Sequence, residues 1–269
     1  MNKLRLVIVF LALFFSGAGL YVQFDWRSDN AALLAFAQSV IQDDNVITAQ
    51  DIERLNALVY STGGFAKNDR YFIFPALGPT PTQIMQEGGD CADKSRLLAA
   101  ILDELNVPAT LVMLSPCDTC AFGHTVVEAI TKDGAIAVDP IYNISFPSPD
   151  GRYYGIQALR NDADILQTRL DELILQRGPE DKVAFYRLGP DGIHYSYPVT
   201  VNWAKNSLTQ FVGLFLARYI DEPSLIYRPR WLEDPKLLIS SILGVLSICS
   251  IGLVLMTVFL PHLITRIKG

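Results

Sequence analysis

The chain has 269 residues, half of them hydrophobic, with a formal net charge of -6 and an isoelectric point near 5.1. That length suits one domain of ordinary size together with membrane segments. An acidic chain with no basic stripe argues against a nucleic-acid partner, since such affinity rests on neutralising phosphates.

Two stretches lack charge for long enough to cross a bilayer. Leu6 to Val22 is apolar throughout and follows Lys3 and Arg5. Leu237 to Thr265 is uncharged, follows Glu233, Asp234 and Lys236, and precedes Arg266 and Lys268. About 20 apolar residues cross the hydrocarbon core as a helix. Basic residues mark the cytoplasmic flank. Both termini are therefore expected inside a bacterial inner membrane, with residues 24–235 on the periplasmic side. The lipid bilayer is thus an expected partner. The first stretch, residues 1–23, also reads as a signal peptide, with Ser16-Gly17-Ala18 as its cleavage site. Residues 236–265 read as a C-terminal span and 266–269 as a cytoplasmic tail.

Between the spans the elements follow in order. Asn30 is expected to cap a helix to about Ile41. Thr48-x-x-Asp51 reads as a capping box opening a second helix to about Tyr60, stopped by Gly63-Gly64. Residues 65–88 read as irregular. A third helix starts near Cys91, with Leu97, Leu98, Ile101, Leu102 and Leu105 at helical spacing. Strands are predicted over Ala109–Leu114, His124–Ile130 and Ala135–Asp139, with a four-residue loop, Thr131 to Gly134, before the last. A helix is predicted over Asp162–Gln176 and short strands over Val183–Leu188 and Ile193–Tyr197. The apolar stretch Trp203–Ile220 reads as a helix that packs on the domain or lies at the membrane surface. Helices that lead into an antiparallel sheet make an α+β fold.

The chemistry gathers on three residues. A thiolate is the strongest side-chain nucleophile near neutral pH, and a helix N-terminus favours it. Cys91 stands at such a start, after Gly88-Gly89-Asp90. Of three histidines, His194 reads as a strand residue and His262 as interfacial. His124, at the head of a strand, is left as the base. A base needs an orienting partner on its second nitrogen. With the four-residue loop, Val126 faces Asp139, and Asp139 lies diagonal to His124 at roughly 7–8 Å between backbones. A two-residue Asp133-Gly134 turn would instead oppose Asp139 to Glu128, roughly 13 Å away from His124. Gln86, and behind it Gln83, are side-chain candidates for an oxyanion donor, beside backbone N–H groups. Cys117 and Cys120 read as a local disulfide before His124, with a redox pair or a zinc site as alternatives. Glu128 reads as a cross-strand residue or a cleft residue. Cys249 reads as an inert apolar residue of the second span.

Gly89-Asp90-Cys91-Ala92-Asp93-Lys94-Ser95 with Leu97–Leu102 and Val107-Pro108-Ala109, then His124-Thr125-Val126-Val127-Glu128, a Gly134 turn and Val138-Asp139-Pro140, resemble the motifs of the transglutaminase-like superfamily. The resemblance covers about residues 86–142. It implies a papain-like core with Cys91 as nucleophile, His124 as base and Asp139 as orienter. Val126 and Ile136 stand where that family often has aromatic residues, which thins the expected aromatic lining. The expected activity is amide or acyl hydrolysis, or acyl transfer, on a peptide, protein or envelope-polymer substrate, with no metal or organic cofactor. The alternatives are a non-catalytic subunit of an envelope assembly for secretion or polysaccharide export, and a redox-gated variant of the enzyme.

Overall fold

The computed structural model describes residues 3–41, 46–115, 123–178, 197–201, 203, 207–226 and 228–267. The chain divides into two compact units, Met1–Ala31 with Arg230–Gly269, and Ala32–Pro229.

The first unit is built from two long helices, α1 (Lys3–Gln38) and α8 (Pro235–Ile267). At 1.5 Å per residue they run about 54 and 50 Å, longer than the roughly 30 Å hydrocarbon core. Both are apolar enough to span a bilayer, and their side chains are largely uncovered by protein. They run antiparallel. Arg5 Nη2 donates to the Thr257 carbonyl at 2.5 Å, and the Ser16 and Ser247 hydroxyls meet at 2.6 Å. Where the apolar stretches end, charges pair. Lys236 Nζ lies 2.7 Å from both Asp25 and Asp29, and Trp26 Nε1 donates to Asp234 at 2.9 Å. One expectation is corrected here. No separate helix starts at Asn30: α1 continues unbroken to Gln38. Asn30 sits inside it and meets Arg230 at 3.4 Å, because no glycine, proline or C-cap interrupts the helical stretch between the apolar run and Leu33.

The second unit is α+β. Its sheet, among the described residues, has strands β1 (Ala109–Ser115), β2 (His124–Thr131), β3 (Gly134–Asp139), β4 (Ile144–Ser145) and β5 (Tyr197–Val199), in the order β4-β3-β2-β1-β5 with every pairing antiparallel. Helices α2 (Ala49–Ser61), α3 (Pro81–Glu87), α4 (Cys91–Glu104), α5 (Ile156–Asn161), α6 (Ala163–Arg177) and α7 (Ser207–Leu216) surround it. The β2–β3 register pairs Ile130 with Ala135, as the sequence reading requires. The connection is tighter than expected: Thr131 itself pairs with Gly134, leaving Lys132-Asp133 as the loop. Gly134 takes φ +119°, a region open to glycine.

Alternation along the strands splits the core into two layers. Val127, Ala129, Ile136 and Val138 face Ile52, Leu55, Val59, Leu97, Leu98 and Ile101 of α2 and α4. Val112, Val126 and Ala137 face Ile156, Leu159, Leu170 and Leu173 of α5 and α6. The Thr48–Asp51 capping box on α2 is present. The segment read as irregular contains α3, which has a capping box of its own: Thr80 accepts from Gln83 N, Gln83 returns the bond, and Pro81 stands at N1. Thr80-Pro81-x-Gln83 was the legible signal for it. The predicted strand over Val183–Leu188, His194, and most of the strand over Ile193–Tyr197 lie outside the described residues.

Candidate functional site

Cys91 is the first residue of α4 and is half-buried. Asp90 caps the helix by accepting from Asp93 N at 3.0 Å, and its carbonyl takes the Lys94 N–H. The N–H groups of Cys91 and Ala92 have no intrahelical acceptor, as at any helix start. The approach to this start is a crossing of two glycine pairs. Gly64 bridges Gly88, and Gly89 N–H reaches the Gly64 carbonyl at 3.4 Å. A Cβ on Gly63 would lie 2.4 Å from the Glu87 carbonyl oxygen, and one on Gly89 would lie 2.3 Å from Asp93 Cβ. Gly88 is also at φ +80°. The glycines read as a helix stop and a turn thus allow two backbones to touch just before the cysteine.

Two buried side chains hold the crossing. Asn68 donates its N–H to Asp93 at 3.1 Å and its amide to the Gly88 carbonyl at 2.9 Å. Burial raises the Asp93 carboxyl above its ordinary value, against the lowering effect of Asn68 N–H and nearby Arg96. Lys94, 3% exposed, donates to the carbonyls of Tyr60 and Thr62 at 2.8 Å each. It thereby places a cation at the C-terminal end of α2, where the free carbonyls and the helix dipole favour one.

His124 opens β2 and Asp139 closes β3, so the antiparallel pairing brings both to one end of the sheet. His124 Nε2 lies 2.6 Å from Asp139 Oδ2. Asp139 is fully buried, and its Oδ1 accepts from the Ile141 and Tyr142 N–H groups at 2.9 and 3.3 Å. The carboxylate is thus fixed by a turn of its own strand end. The Cys91 side chain lies near enough to His124 to help raise its pKa. Burial alone would push the imidazolium down, but the charge and hydrogen bond of Asp139, with Cys91 beside it, hold it up at about 10. Ser95 Oγ donates to the Thr125 carbonyl at 2.9 Å and locks α4 onto β2 one residue from His124. Although most of α4 belongs to the first core layer, Cys91 packs against the second, the layer on the face that carries Val126 and His124.

Tyr142 completes the site and was not singled out in the sequence. Its ring lies 5.4 Å from that of His124 and 6.3 Å from that of Phe65, which is 55% exposed. Burial first, then the negative charges of Asp139 and Cys91, push its phenol up to about 12, so it stays neutral. Tyr142 and Phe65 bring aromatic surface to the site from segments outside the strands. The turn Asp139-Pro140-Ile141-Tyr142 was the available signal.

The remaining candidates separate. Gln86 is exposed on the last turn of α3. Gln83 spends its side-chain oxygen on the Thr80 N–H at 2.8 Å, so it is a capping residue. Glu128 accepts from Ile156 N at 2.9 Å at the start of α5, and it lines a cavity of about 360 Å³ with Gly155 and Gln157. Cys117 and Cys120 lie outside the described residues. Cys249 is a free thiol on α8. Among the described residues no group of three metal-ligating side chains occurs.

The fold and the site together define an α+β domain, with an antiparallel sheet, on a chain that carries two helices of membrane-spanning character. No protein-family model matches the chain, and neither a curated protein nor a solved structure matches it.

Proposed function

We propose that this chain is a membrane-anchored, cysteine-dependent amide or acyl hydrolase, or acyl transferase, of the transglutaminase-like superfamily, with a papain-like core. The observation that carries the reading is His124, held by Asp139 at 2.6 Å at one end of the sheet, with Cys91 near enough to help raise its pKa. Cys91 Sγ attacks an acyl carbon, the C–S bond forms, and the carbonyl electrons move to oxygen. The N–H of Cys91 stabilises that oxyanion, with the Gln86 amide as the side-chain candidate. Collapse breaks the C–N bond, and the His124 imidazolium gives its proton to the departing amine. His124 then takes a proton from water or from an acceptor amine, which attacks the thioester and releases Cys91 as thiolate beside an imidazolium. The resemblance of residues 86–142 and the charge asymmetry of the two apolar stretches support an extracytoplasmic domain with both termini inside, and a peptide, protein or envelope-polymer amide as substrate.

Iodoacetamide labelling tests the catalytic reading. Cys91 in the native full-length protein should react far faster at neutral pH than in a denatured control, and His124→Ala should abolish the difference. Equal rates in native and denatured protein would overturn the enzyme reading and leave the domain as an interaction module of an envelope assembly.

A further inference from the structure

Helix α7 carries no charged residue, and its outward face is apolar. Gly213 is its one buried residue, set so close to Trp203 that a Cβ there would lie 2.7 Å from the Trp203 side chain. Thr209 Oγ1 donates to the Trp203 carbonyl at 2.9 Å on the same side. At 100° per residue, Leu208, Phe211, Val212 and Phe215 fall within an arc of about 100°, centred roughly opposite Gly213. Leu208 is 72% exposed, Phe211 68% and Phe215 48%. Tyr219, just beyond the helix, is 74% exposed, and its ring lies 5.4 Å from that of Phe215 and tilted to it. The helix therefore holds its own domain by a glycine and turns its large apolar side chains away from it. Left in water, such a contiguous patch is rare on a soluble surface.

We infer that α7 docks in the interfacial layer of the bilayer that α1 and α8 cross, with Leu208, Phe211 and Phe215 in the acyl boundary. Chain continuity names lipid as the occupant. The segment after α7 leads directly to α8, and Trp231 and Leu232, the last large apolar residues before that helix, are themselves exposed. Phe215, Tyr219 and Trp231 shortly precede the α8 span in the sequence, and such residues form the belt expected at headgroup level. Arg218 follows the stripe by one turn, where its head reaches phosphate while its stem stays apolar. Docking would hold the catalytic domain at the membrane surface and restrict it to substrates presented there.

The inference rests on the reading of α1 and α8 as membrane spans, and the test separates the two. The full chain, its native cysteines replaced, is reconstituted in vesicles of phosphatidylethanolamine and phosphatidylglycerol. Nitroxide labels are placed singly at Phe211→Cys, Phe215→Cys, Gln210→Cys and, in α8, Leu253→Cys. Collisions with dissolved oxygen and with a water-soluble nickel complex are compared. Positions 211 and 215 should follow 253, with an oxygen-to-nickel ratio severalfold above that at 210. If 211 and 215 read like 210 while 253 reads as lipid, docking is overturned and the anchors stand. If 211 and 215 are shielded from both reagents, protein covers the stripe and the inference falls. If 253 also reads as water, the membrane reading fails and docking fails with it.

Discussion

The chain builds two helix starts with the same local chemistry. On α2, Thr48 caps and Asp51 returns the bond at N3; on α4, Asp90 caps and Asp93 does the same. Each places a small residue at N1, Ala49 on α2 and Cys91 on α4. Ala49 stays with the core layer beneath its own helix, whereas Cys91 reaches the layer on the opposite face of the sheet. The α2 start borders a cavity of about 540 Å³ lined by Thr131, Asp133, Gly134, Arg152 and Tyr153, without a histidine among the described residues. The α4 start meets His124 backed by Asp139. A capped helix start is therefore a local product of sequence, while a nucleophile needs the end of a sheet delivered to it.

The sharpest break of this contrast is Asp139→Asn, which should make the α4 start resemble that of α2. On the proposed function, loss of the Asp139 carboxylate should slow Cys91 labelling about a hundredfold or more, since members of such a triad act as a unit. The same change should remove a pH dependence of stability. The imidazolium titrates at about 10 in the folded protein against an ordinary 6.5. Its contribution is fully present below about pH 6.5 and is lost as pH rises towards 10. Thermal melts across that window should fall for the wild type more steeply than for Asp139→Asn.

The converse test moves the thiol. In a Cys91→Ala background, Ala49→Cys puts a cysteine at the equivalent position of α2. It should label no faster than a denatured thiol, because a helix start alone supplies no base. Fast labelling there would show that the cap and dipole suffice.

A smaller effect concerns the clamp that aligns α4. Lys94→Met keeps the aliphatic stem but leaves the Tyr60 and Thr62 carbonyls without their cation. Two buried charge-assisted bonds are lost, and the unfolding free energy should fall by about 3 kcal/mol or more. The smallest effect sharpens the comparison most. Thr48→Ala and Asp90→Ala should each cost about 1 kcal/mol. Only Asp90→Ala should change the labelling rate of Cys91, and equal rates after both would deny the cap any part in positioning the thiol.

Much of the fold was legible because it is local. Period-2 runs marked β1, β2 and β3, helical spacing marked α4, and the capping box marked α2. The missed pieces divide by cause. Helix α3 was announced by Thr80 and Gln83 but hidden among prolines and aromatics. The break expected at Asn30 was a local capping preference overruled by the unbroken helix. Lys94 was opaque because a cation in the first turn of a helix opposes that helix's dipole, and makes sense only once the end of α2 lies against it.

For the site, sequence by itself determined which residue types stood at which element ends: a cysteine at N1, a histidine opening one strand, an aspartate closing the next. Register stayed open between two pairings that keep the same faces, Val126 or Glu128 opposite Asp139, because a side-chain period of two does not register a slip of two residues; the observed pairing decided it. Tertiary structure decided what those positions became. It packed α4 so that Cys91 crosses to the face of His124, and it closed two glycine pairs to allow that approach. It also brought Tyr142 beside His124, and Phe65 beside Tyr142, from outside the strands. None of this is encoded in a local window, because each depends on how closely two distant backbones come together, and packing of the whole core sets that distance.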